Sequence, residues 1–182
     1  MKWHSINIDR LLDHKILFDP LPEDGEEHGV SGICINDGSL SGEKLNRECG
    51  GVPFEFCGTS RENDNLICAY QHIEIGLNNV KRLAFLGFNE FGNYGDRLTV
   101  IGKDGSMHSE QLFFYGINQS VETLYSSEMN ELCSEAVKTT ANGYLDVSLY
   151  KCEIPLEGFD IEEIVLPDNI EMHIMAVSAY GG

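Results

Sequence analysis

Lysine and arginine are scarce in this chain: twelve stand against thirty aspartates and glutamates, a formal charge of −18 at pH 7 over 182 residues. The few cations are scattered, with no arginine-rich stripe. That balance disfavours direct nucleic-acid binding, which depends on locally concentrated Lys and Arg. It argues equally against attachment to anionic membranes, and the bare reading of the acidity is solubility. No apolar run is long enough to cross a bilayer. Residues Met1–Asp9 carry neither an apolar core nor a small-residue cleavage site, so the expectation is an ordinary mature start in the cytoplasm. Also missing are CxxC pairs, a GxSxG nucleophile elbow and an HExxH metal motif, the spacings that would mark zinc, thioredoxin-like or hydrolase chemistry.

What is present is β-sheet material. An apolar content of 42% supports one hydrophobic core, and a chain of this size hides about 70% of its extended surface. Six cysteines, at positions 34, 49, 57, 68, 133 and 152, are expected to be reduced thiols packed as small hydrophobes rather than three disulfides. Val52–Phe56 alternates with the strand period. Gln71–Ile75 is a brief strand, and Val80–Phe88 is apolar enough to lie centrally in a sheet. Arg97–Ile101 and Ser106–Phe114 flank Gly102-Lys103-Asp104-Gly105, a hairpin signal. Tyr144–Ile154 shifts its apolar phase near Leu149-Tyr150, which predicts a bulge. Ile161–Leu166 and Met172–Tyr180 close the chain around Pro167-Asp168-Asn169. Trp3–Ile8 and His14–Phe18 read as short strands, Gly29–Gly51 as an irregular excursion pinned by Ile33 and Leu45, and Glu128–Val137 as the one short helix. The expectation is therefore a single domain over residues 1–182: an all-β, jelly-roll-like antiparallel sandwich with minor helix, its core drawn mainly from 52–101 and 144–180.

Three segments in order, Gly51-Val52-Pro53-Phe54-Glu55-Phe56, Asp64-Asn65-Leu66-Ile67-Cys68-Ala69-Tyr70-Gln71-His72-Ile73 and Val80-Lys81-Arg82-Leu83-Ala84-Phe85-Leu86-Gly87, carry a family resemblance. They resemble the "G-V-P-F-x-F", "D-N-V…G-Q-x-I" and "Y-x-x-L-x-L-L-G" segments of galactose-binding-like, jelly-roll β-sandwich modules attached to bacterial glycoside hydrolases. Phe159–Asn169 is similar to that group's closing turn. Tyr70 departs from the pattern, standing where a glycine usually precedes the glutamine. The resemblance implies a sandwich fold and sugar binding.

No catalytic constellation stands out. Chance carboxylate pairs are inevitable in so acidic a chain, so Glu26, Glu27, Asp96 and Asp104 carry little catalytic weight, and the reading is of a protein that is not an enzyme. His28, His108 and His173 lack metal-ligand spacing and read first as structural or exposed groups. Asp24, Glu26 and Glu27 can gather calcium in a turn, although the string fits no EF-hand, and a solvated charged turn explains it first. No cofactor is expected beyond such a structural calcium. The informative segment is Gly87–Asp96, where aromatics and amides alternate with glycines. Sugar sites combine rings that stack on apolar sugar faces with polar groups that read hydroxyls. Phe91 or Tyr94 is the candidate platform, and Asn89, Asn93 and Asp96 are the candidate readers. The competing reading folds Phe88 and Phe91 inward as anchors. The expected partner is a neutral glycan or another protein, with self-association through a sheet edge as a further option.

Overall fold

The computed structural model describes residues 1–22, 29, 32–118 and 133–182. Ten strands dominate the described residues: β1 Lys2–Ile6, β2 Lys44–Cys49, β3 Val52–Cys57, β4 Leu66–Ala69, β5 His72–Asn89, β6 Tyr94–Gly102, β7 Met107–Phe114, β8 Cys133–Ala141, β9 Leu145–Val165 and β10 Asp168–Gly181. Helix among the described residues is a single 3-10 turn at Gly38–Leu40, capped by the Asp37 carboxylate on the Ser39 N–H. Two antiparallel sheets result. The larger runs β1-β10-β5-β9-β6-β7, with β4 joining β10 and β8 joining β9; the smaller is the β2–β3 pair. This is the all-β sandwich that the strand-period alternation predicts.

The core follows from that alternation. In β3, Val52, Phe54 and Phe56 face inward while Pro53 is exposed. Pro53, which has no N–H, gives its carbonyl oxygen to the Ser178 hydroxyl of β10 at 2.6 Å, which helps seat the small sheet on the large one. Apolar side chains from β3, β5, β9 and β10 merge into one buried cluster with those of β6 and β7.

β5 and β9 pair along nearly their whole length, from His72↔Val165 to Gly87↔Tyr150. Sequence punctuation at Gly76, Asn78 and Asn79 predicts a break there; the chain instead absorbs it in bulges. Register shifts fall between Glu74 and Arg82, with Gly76 and Asn79 at positive φ. Opposite them, Gly158 has φ 80°, and a Cβ at that position would meet Asn79 Oδ1 at 2.6 Å. The Asp160 carboxylate accepts the Asn79 N–H at 2.7 Å, fixing the bend. Bulges keep the ladder running where a turn would end it, so Gln71–Ile75 and Val80–Phe88 form one strand, as do Tyr144–Ile154 and Ile161–Leu166. The bulge expected near Leu149-Tyr150 is present, but the extra residue, Ala136, lies on the partner strand β8.

Three local expectations are corrected. Residues 133–137 belong to β8, because their inward side chains pair with β9 from Cys133↔Cys152 onward; residues 128–132 lie outside the described residues. Lys44–Cys49, inside the expected irregular excursion, is β2, paired in full register with β3. His14–Phe18 makes only isolated bridges, His14↔Asn65 and Leu17↔Ile35. Its backbone donors go elsewhere: the buried Asp64 carboxylate accepts from Ile16 N at 3.0 Å and Leu17 N at 2.9 Å.

Candidate functional site

The site segment begins where β5 ends. Asn89 is fully buried, and its amide donates to the Phe114 carbonyl at 2.6 Å and the Tyr94 carbonyl at 3.0 Å. Its backbone N–H donates to the Tyr115 carbonyl at 3.0 Å, and its carbonyl accepts from Ile117 N at 2.8 Å. Asn89 therefore ties β5 to the loop before β6 and to the end of β7. Its amide thus donates to carbonyls on both strands of the β6–β7 pair. Asn93 Oδ1 accepts the Gly116 N–H at 3.1 Å. Of the three polar residues expected to read a ligand, these two have their amides engaged in the loop's own scaffold. Asp96 lies nearer the surface; it accepts from Arg97 N at 2.7 Å and from Asn169 Nδ2 at 3.4 Å.

The two candidate rings stand outside. Phe91 is 54% exposed and Tyr94 48% exposed. The Tyr94 ring rests against Gly92, where a Cβ would come within 3.2 Å of it. Phe88 points inward and stacks on the His173 ring at 4.7 Å between centroids, nearly parallel. Of the two phenylalanines weighed as inward anchors, Phe88 takes that place and Phe91 does not.

Sequence reasoning missed four neighbours. The Glu90 N–H donates to the Glu171 carbonyl at 2.8 Å, which sets the two acids side by side. Burial, then the Glu171 charge, raises the Glu90 carboxyl above its ordinary range. Tyr70 and Ile170 are 64% and 69% exposed and border the same end of β10. Ala69 pairs with Asp168, and the Tyr70 N–H donates to the Pro167 carbonyl at 3.3 Å. Tyr70 adopts φ 59°, the left-handed region that glycine favours. The glycine absent from the sequence pattern was thus a usable signal, as was Ile170, an isolated apolar residue in an acidic turn.

Behind this rim lies a closed polar cluster. Asp64 is fully buried, receives the two backbone donors described above and the Asn65 amide at 2.9 Å, and lies 3.7 Å from Lys15 Nζ. Burial raises its pKa despite those bonds. Asn65 Oδ1 is 2.8 Å from His173 Nδ1, so the imidazole donates there. Burial, with the nearby His14 second, lowers the His173 pKa to about 3, so the ring is neutral at pH 7.

Other regions offer less. A surface hollow of about 560 Å³ lies between Val100, His108, Glu110 and Phe159, with His108 edge-on to the Phe159 ring at 4.3 Å. Another of about 420 Å³ lies beside Asn7–Leu11 and Glu74. Asp24, Glu26, Glu27 and His28 lie outside the described residues. Among the described residues, no three His, Cys, Asp or Glu side chains gather closely enough to hold a metal ion, and no helix is long and apolar enough to cross a membrane. All six cysteines are buried and unbridged. Burial raises their thiol pKa values, that of Cys152 to about 12, which keeps them protonated and unreactive.

The chain matches no protein-family model, and no curated protein matches its sequence.

Proposed function

We propose that the protein is a non-catalytic module of the galactose-binding-like, jelly-roll kind, binding glycan at the rim around Phe91–Asp96. The observation that carries this reading is the pair of half-exposed rings, Phe91 and Tyr94, on a loop whose base is fixed by the buried Asn89 amide. A preordered ring loses little freedom when a sugar stacks on it, which is the condition for useful affinity from a small contact. Phe91 and Tyr94 form the platform and Asp96 is the side-chain reader, while Asn89 and Asn93 shape the loop. The acidity repels sulfated and uronic-acid glycans, leaving neutral sugars as acceptable ligands. Six buried thiols suit a reducing compartment such as the cytoplasm.

The test is a glycan array followed by calorimetry on F91A, Y94A and D96A. Binding of a neutral glycan that is lost in F91A or Y94A supports the site; unchanged binding in all three variants rejects it. A second reading, a protein-binding surface, draws on Tyr70 and Ile170, two further exposed apolar side chains beside the start of β10. Light scattering coupled to size-exclusion chromatography separates out its self-associating form, which a monomer at all concentrations excludes.

A further inference from the structure

β8 and β9 form a hairpin whose register sets two cysteines face to face. The strands join through Asn142-Gly143-Tyr144, where Asn142 and Gly143 take positive φ and the Tyr144 N–H donates to the Ala141 carbonyl at 3.1 Å. From that turn the ladder runs from Ala141↔Leu145 back to Cys133↔Cys152, with one bulge at Ala136. Residues directly opposite in an antiparallel pair share one face of the sheet, with Cα atoms about 4.5–5.5 Å apart. That lies within the roughly 4.4–6.8 Å that a disulfide spans. The Cβ atoms, about 4.5–5.5 Å apart in such pairs, must draw in by roughly 1 Å to reach bonding distance. β8 has room to shift there: β9 is its only strand partner among the described residues, and the isolated pairing Ile35↔Ala141 holds its other end.

Among the described residues, the other cysteines have no such partner. Cys49 faces Val52, Cys57 faces Lys44, Cys68 faces Asn169, and Cys34 lies outside the strands. The two sulfurs also share their surroundings: the Tyr115 backbone N–H donates to Cys133 and the Phe113 backbone N–H to Cys152. Once the sheet is complete both thiols are closed to solvent, and burial holds them protonated. The hairpin by itself shields neither sulfur. Its strands are neighbours in sequence, so they can pair before the rest of the core covers them.

We propose that Cys133 and Cys152 are a disulfide site, closed by exchange with a small-molecule disulfide such as oxidised glutathione while the β8–β9 hairpin forms, and then sealed in the core. One cysteine thiolate attacks the glutathione disulfide, forming a mixed disulfide and releasing one glutathione thiolate. The second cysteine thiolate attacks the cysteine sulfur of that mixed disulfide, forming the Cys133–Cys152 bond and releasing the other glutathione. The two protons that the cysteines lose end on the two glutathione thiols; the cysteine pair is oxidised by two electrons and the glutathione disulfide is reduced. In reducing surroundings the same chain folds with the pair as a dithiol.

The experiment refolds the whole reduced chain from urea at about pH 8, near the pKa of an open thiol, in a mixture of reduced and oxidised glutathione. Remaining thiols are then alkylated and the peptides mapped by mass spectrometry. The expected product has four of its six cysteines alkylated and one bond, Cys133–Cys152. Its Tm should lie about 5 °C above that of the dithiol form, the gain from closing a loop of roughly 20 residues less the strain of drawing the strands together. Protein folded beforehand under reductant and then given the same mixture should form the bond at least about tenfold more slowly. C133S and C152S should leave every remaining thiol open to alkylation, and C34S/C49S/C57S/C68S should form the bond as the parent does. If a serine variant does not fold by circular dichroism, the map of the unaltered chain decides alone. Six alkylated cysteines after refolding, a mixture of other pairings, or a bonded chain that melts below the dithiol form would overturn the site. Equal rates from the folded and unfolded starts would overturn its closure during folding.

Discussion

Around β4, the end of β5 and the start of β10, a set of polar side chains is closed to water, whereas a few apolar ones nearby are open to it. Asp64, Asn65, Asn89 and His173 are buried, and most of their polar atoms bond to named partners. Tyr70, Phe91, Tyr94 and Ile170 face solvent a few residues away on the same segments. Burying a polar group is costly unless its bonds are made, and exposing an apolar one forfeits hydrophobic stabilisation. The first set spends its chemistry on holding the fold, and the second leaves its own available to a ligand. Mutations should therefore divide cleanly between stability and binding.

The largest effect is expected at Asp64. Asp64→Ala strips the Ile16 and Leu17 N–H groups and the Asn65 amide of a shared acceptor, and should cost roughly 3–5 kcal/mol by urea denaturation. Asn89→Ala follows at about 2–3 kcal/mol, because the Phe114 and Tyr94 carbonyls lose their donor. A loss at Asn89 below about 0.5 kcal/mol would mean that the loop base is not fixed as the geometry implies.

The pH response comes next. The His173 pKa is depressed to about 3 from its ordinary 6.5, so the unfolded chain takes up a proton that the folded chain refuses. That penalty is absent above the unfolded value and grows as pH falls through the window between 6.5 and 3. Stability should drop by roughly 2 kcal/mol between pH 7 and pH 5 from this group. The raised pKa of Asp64 acts in the opposite direction: its contribution is present at low pH and is lost as pH rises through its folded pKa. In His173→Gln, the part of the slope between pH 7 and pH 5 that belongs to His173 should vanish, whatever the variant's absolute stability.

The outer residues should barely register in such measurements. Tyr70→Gly relieves a left-handed conformation that costs a side chain roughly 1–2 kcal/mol, less the greater freedom of glycine in the unfolded chain. A gain of about 0.5 kcal/mol by thermal denaturation is expected. Phe91→Ala and Tyr94→Ala should move stability by less than about 0.5 kcal/mol while weakening glycan binding. A large stability loss at either ring would place it with the inner set.

Strand period made much of the fold legible: Val52–Phe56, Val80–Phe88 and the Gly102–Gly105 hairpin fall where alternation and turn chemistry put them. Glycine and asparagine misled at residues 76–79, because the same φ > 0 that closes a turn also builds a bulge within a continuous strand. His14–Phe18 looked like a strand because its composition is apolar, yet composition does not say that a distant Asp64 will take its backbone bonds. At the site, Phe91 and Tyr94 were legible as ring candidates. Asn89 and Asn93 read as ligand-facing amides because an amide in a glycine-rich loop carries no sign of which side it faces. Glu90 and Glu171 become neighbours only through the pairing of β5 with β10.

The unbroken pairing of β5 with β9 has a consequence in time. Their partners are roughly 60 to 90 residues apart in sequence, and β1 finds its place beside the last residues of β10, so little of the large sheet can form from neighbours alone. The parts able to close early are the sequence-local pairs β6–β7, β8–β9 and, in the small sheet, β2–β3. On a ribosome, the central sheet must wait until β9 and β10 have emerged, leaving the apolar stretch Leu83–Phe88 without its partners for roughly a third of synthesis or more.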